Sequence, residues 1–146
     1  MKLISTIILI AAVMSPHALA STVSATQQLG VCLTDSMNGK ERKNLAKWIY
    51  FGMSQHSTIK PYSNVSDANL DQMNKYVGEL TTRLITKDCK EISNKAMEEN
   101  SAAFESAFSI VGKVAMQELM TESSVSQSLG AFEKYLDTEK IEAALK

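Results

Sequence analysis

The sequence is short of the residues that build metal centres and reactive loops. Among 146 residues there are two cysteines, two histidines and two prolines. C-x-x-C, H-E-x-x-H, G-x-S-x-G and glycine-rich phosphate loops are all absent from it, which removes the common signatures of thiol exchange, zinc hydrolysis, serine hydrolases and nucleotide binding. Neither sign of charge dominates. Lys and Arg number 15 against 16 Asp and Glu, a formal net charge of −1, so the electrostatic footprint of a nucleic-acid binder is missing. Hydrophobic residues make up 45% of the chain and charged residues 21%, the balance of a globular protein rather than a disordered one. No cofactor is expected from this inventory, and the length suits one domain.

One mainly apolar run is present, at the N-terminus. Lys2 precedes residues 3–14, which are interrupted only by Ser5 and Thr6; Pro16 and His17 end the run, and Ala18-Leu19-Ala20 follows. A positive start, an apolar core and a small-x-small site in that order read as a secretory signal peptide. The expectation is a signal peptide over residues 1–20, cleaved after Ala20, and a single helical domain over residues 21–146. The run is much shorter than the roughly 20 apolar residues that span a bilayer. No later stretch is long enough either, so the cleaved chain is expected not to span a membrane. The short leader with its A-x-A site points to the periplasm, or to secretion into the medium.

Export into an oxidising compartment makes a Cys32–Cys89 bridge the expected state of both cysteines. Closing a loop of that length stabilises a fold by about 4 kcal/mol in the chain-entropy treatment.

Pro61 is the one proline after the leader, and the apolar residues recur at helical spacing. A first, weaker segment over residues 25–33 carries Leu29, Cys32 and Leu33. Asn38 with Glu41 forms a capping box for a second helix over residues 40–56. Its Leu45, Trp48, Ile49, Gly52, Met53 and His56 make a wide apolar stripe, so this helix is expected to be central and Trp48 to be a core anchor. Ser66 can cap a third helix, with the seam Leu70, Met73, Val77, Leu80, Leu84 and an outer Glu79–Arg83 pair. The phase is lost near residues 86–88, where Asp88 with Glu91 offers a new cap. From Cys89 the pattern runs to Met120, either as one helix of some thirty residues or as two interrupted at Asn100-Ser101. Ser124 with Gln127 introduces a further helix carrying Val125, Leu129, Phe132 and Leu136, and Thr138 a last turn or two. The fold class is therefore all-α: a compact bundle of about five helices stapled by one disulfide.

Few constellations carry chemistry. His56, with Tyr62 and Asp67 across the loop around Pro61, could form a small polar cleft; a packing or capping role for His56 is the simpler expectation. Lys40, Lys43 and Lys47 form a basic ribbon that suits a small anionic ligand such as a phosphate or polysaccharide, or a solvated face. Arg42 projects onto the apolar flank and calls for a carboxylate among Asp35, Asp88 and Glu91. Glu98 and Glu105 share a face, whereas glycosidase chemistry needs opposed carboxylates. Met116 and Met120 at i, i+4 are better suited to packing than to copper(I). The reading is a non-catalytic binding or protein-interaction module whose partner is a protein or a small anionic ligand. A periplasmic stress chaperone or inhibitor is the alternative, and a small enzyme with a cleft near His56 comes after it.

Overall fold

A computed structural model of the protein describes residues 23–145; the leader expected over residues 1–20 lies outside them. The described residues form seven α-helices and no strands: α1 (Ala25–Asp35), α2 (Gly39–Met53), α3 (Asp67–Arg83), α4 (Lys90–Glu99), α5 (Ala103–Met120), α6 (Ser123–Gly130) and α7 (Thr138–Ala144). The class is all-α as expected, with more helices than five. The pattern from Cys89 to Met120 is two helices. Asn100 takes an extended conformation and its side-chain oxygen accepts the Ala102 N–H at 2.9 Å, which restarts the chain as α5.

The helix starts follow local chemistry. Asn38 accepts the Glu41 N–H at 3.0 Å while Glu41 accepts the Asn38 N–H at 2.9 Å, the reciprocal box its sequence predicts. Ser66 and Asn69 make another at the start of α3, and Ser24 with Gln27 a third on α1. Two expected caps are not made. Asp88 binds Arg83 instead, and the chain passes through a π-helical turn, Leu84–Asp88, into α4 without a side-chain cap. α6 begins at Ser123 after Glu122, again with no side-chain cap, so Ser124 lies inside it.

The centre of the core is α1, not α2. Leu29 and Leu33 are 0% exposed, and α1 packs on α4, on α5 and on the π-turn. α5 buries Ala103, Ala107, Val111 and Ala115, and α4 buries Ser93 and Ala96. These side chains are small, so the helices close on one another without needing a bulky stripe. α2 buries only Leu45 and Ala46 and lies between α5 and α3. The α3 seam is sunk at its C-terminal end, through Leu80 and Leu84, while Leu70, Met73 and Val77 are half-buried.

The Cys32–Cys89 bridge is present, with the two Cα atoms 6.0 Å apart. It ties the end of α1 to the junction between the π-turn and α4. A second long-range tie holds the other end of α1, where the Ala25 N–H donates to Glu99 Oε2 at 3.2 Å. That carboxylate sits where a helix N-terminus favours negative charge.

Gly30 marks the closest approach between α1 and α5. A Cβ built there would overlap the end of the Ile110 side chain and lie 3.0 Å from Ile110 Cβ, which cannot swing away. Gly30→Ala is therefore expected to destabilise by about 1 kcal/mol, overpacking outweighing the gain in helix propensity. Adding Ile110→Ala should reverse the sign of the Gly30→Ala effect in a double-mutant cycle read by urea melts. Equal effects in both backgrounds would place the strain elsewhere.

Candidate functional site

The residues that the sequence grouped are all exposed. His56 lies past the end of α2, exposed in the turn that follows, with Nδ1 2.9 Å from Thr58 Oγ1. Tyr62 is 90% exposed in the short 3-10 turn Lys60–Tyr62, and Asp67 is an exposed first-turn residue of α3. Lys40, Lys43 and Lys47 are exposed along α2. None of the clefts described below is lined by His56, Tyr62 or Asp67.

Trp48 is a correction. It is 36% exposed, and its indole N–H donates to Asn74 Oδ1 on α3 at 2.8 Å. α2 and α3 run antiparallel: the start of α2 meets the end of α3 through Glu41 and Arg83, and its end meets Leu70 and Asn74. Trp48 faces α3 at its thinly packed N-terminal end. There Trp48, Ile49, Gly52, Leu70 and Asn74 line an open cleft of about 320 Å³. Gly52 adds no side chain to its floor, and a Cβ built there would touch nothing within 4 Å. The indole takes the Asn74 carbonyl oxygen, so the amide NH2 is the donor the cleft can offer to a ligand. Nothing in the helical spacing marks Asn74 beyond its position beside Met73 of the seam.

The same end of the molecule carries further exposed apolar side chains: Met53 at the end of α2, Ile59 and Tyr62 in the loop. Successive turns hold the loop in shape, with Ile59 N–H donating to His56 O at 2.9 Å and Tyr62 N–H to Ile59 O at 2.9 Å.

Arg42 and Arg83 are committed to structure. Arg83 bridges Glu41 at 2.9 Å and Asp88 in place of the expected pair with Glu79. Arg42 donates to the Met37 carbonyl rather than to Asp35, Asp88 or Glu91, because that carbonyl stands at the end of the α1–α2 turn within reach of the first turn of α2. At the far end of the chain, Lys140 beside Asp137 holds its carboxyl below the ordinary carboxylate value, through a side-chain bond first and a backbone bond second. Among the described residues no group of three or more His, Cys, Asp or Glu is placed to hold a metal ion, and no helix is long and apolar enough to cross a membrane.

Comparison with protein-family models, curated proteins and solved structures finds no match to this chain.

A half-buried indole predicts a milder loss than a core one. Trp48→Ala is expected to cost about 1–2 kcal/mol, below the roughly 3–5 kcal/mol of a fully buried Trp. Native indole emission should be red-shifted and quenched by iodide. A blue-shifted, unquenched emission would return Trp48 to the core.

Proposed function

We propose that the protein is a small exported binding module that works in the periplasm or medium after loss of residues 1–20. Its contact face is the second half of α2 with the loop that follows. The observation that carries this reading is the Trp48 cleft together with the exposed Met53, Ile59 and Tyr62. Aromatic residues and Met are the types enriched where proteins bind, and Trp and Tyr lead among the residues that dominate binding energy. The cleft combines an apolar wall with one oriented amide, which suits an inserted side chain or a small planar group. His56 and Tyr62 border this face. Lys40, Lys43 and Lys47 lie on a different stripe of α2, so an anionic ligand would use a separate surface.

The test combines capture with spectroscopy. Protein immobilised by its C-terminus and exposed to periplasmic extract should retain a discrete partner, and Trp48→Ala with Tyr62→Ala should lose it. The purified partner should shift the emission of Trp48. Equal recovery on the double variant, or an unshifted emission, would reject this face as the binding site.

Exposed apolar residues on the C-terminal elements favour one second reading, a holdase chaperone. That reading expects the protein to suppress light scattering by several unrelated unfolding proteins. A binder of one partner suppresses none.

A further inference from the structure

Beyond Met120 the chain carries a row of large apolar side chains that stay exposed. Leu129, Phe132, Tyr135, Leu136, Ile141 and Leu145 are all exposed, Phe132 to 60% and Tyr135 to 79%. Among these elements α6 alone packs on the body, against α5; the 3-10 turn Ala131–Tyr135 packs only on α6, and α7 on no other element. Helical pieces this short do not hold together in water by themselves, so the row needs a cover.

The segment is also acidic. Residues 122–146 contain five acids against three lysines, and Lys140 pairs with Asp137 at 2.7 Å. The chain carries the complement itself. Lys40, Lys43, Lys47 and Tyr50 follow one another at steps of three and four residues and form one exposed stripe on α2, a single helix face. The two surfaces already meet at their near ends, where Lys43 and Ala46 line a shallow cleft with Glu118, Leu119, Glu122 and Val125. Past that cleft no C-terminal element packs on α2, and the rest of both surfaces stays open.

We propose that residues 123–145 of one copy dock on the Lys40–Lys43–Lys47–Tyr50 stripe of a second copy. The exchange is reciprocal, so a twofold axis makes each contact twice and closes the assembly. Leu129, Phe132 and Leu136 cover Tyr50 and the aliphatic stems of the lysines. The ammonium heads meet Glu133, Glu139 and Glu142. An anionic lipid surface is the wrong cover, because it repels an acidic segment.

Sedimentation of the purified protein over about 1 to 100 μM tests this directly. The expected result is a monomer–dimer equilibrium at least roughly tenfold weaker at about 500 mM salt than at about 50 mM, since the charges lie on an exposed surface. Phe132→Glu touches no core residue and should give a monomer whose body, α1 to α5, stays folded, with circular dichroism reduced by no more than the share of the short C-terminal helices. Lys43→Glu with Lys47→Glu should raise the dissociation constant about tenfold or more, and adding Glu139→Lys with Glu142→Lys should restore it. Trp48→Ala should leave dimerisation untouched, which separates this surface from the cleft. A monomer at every concentration in low salt would overturn the proposal. So would a dimer indifferent to Phe132→Glu, or a charge reversal that the compensating pair does not rescue.

Discussion

Reducing the Cys32–Cys89 bond is expected to remove about 4 kcal/mol of stability while leaving most of the helix in place at moderate temperature. The bond closes a loop of 57 residues, so its loss releases a large part of the unfolded chain's restraint. In the folded state α1 keeps Leu29, Leu33 and the Glu99 tie, and the helices themselves need no bridge. For a domain of this size the thermal midpoint should fall by roughly 15 °C, measured by circular dichroism with and without reductant. Cys32→Ser with Cys89→Ala should reproduce the shift without leaving a serine hydroxyl at the buried position 89. Titration of denatured, unreduced protein should find no free thiol; two per chain would refute the bridge.

The second large effect lies in α1. Leu33→Ala is expected to cost roughly 3–5 kcal/mol, because the side chain is fully enclosed and helices already in contact through alanines have little room to collapse into the void. Leu29→Ala should behave alike, since both leucines are 0% exposed. The check is a urea titration in which the midpoint falls and the slope stays constant. A loss below about 1 kcal/mol would mean that α1 is a peripheral strap. Comparison with Trp48→Ala is the sharper contrast, because the helix with the broader apolar stripe should then give the smaller loss.

That inversion shows what was legible and what was not. The caps at Asn38–Glu41 and Ser66 were legible from their three-residue spacing, whereas Asp88–Glu91 and Ser124–Gln127 share that spacing and make none. The break at Asn100 was legible too, as a polar residue on an apolar face. The bridge followed from having two cysteines and an N-terminal run that reads as an export leader. Periodicity reports which face a helix could bury, but not how much neighbour exists to cover it. The stripe of α2 is wide, yet α3 is buried only at its C-terminal end, so Trp48 is left half out. The face of α1 looks weak because Ala25 and Gly30 contribute little hydrophobicity, and α5 answers it with alanines that favour close approach. Val125, Leu129, Phe132 and Leu136 keep helical spacing, yet only α6 packs on the body, and Leu129, Phe132 and Leu136 stay exposed. Of the candidate site, Trp48 and Tyr62 were visible as residue types. Asn74 was not, because its contact with Trp48 exists only once α2 and α3 have paired.

The burial of α1 against α4 and α5 also sets an order of events. Wherever the chain emerges N-terminus first, from a ribosome or through a translocation channel, α1 appears before everything that covers it. Leu29 and Leu33 stay uncovered until α5, which ends at Met120 more than eighty residues later, is also free to fold. Contacts this distant in sequence slow folding and lengthen the time in which apolar surface is open to other chains. The half-made protein is therefore most exposed to aggregation at its oldest end, and a factor that shields residues 25–35 during emergence should raise the yield of folded protein more than one acting on the finished chain.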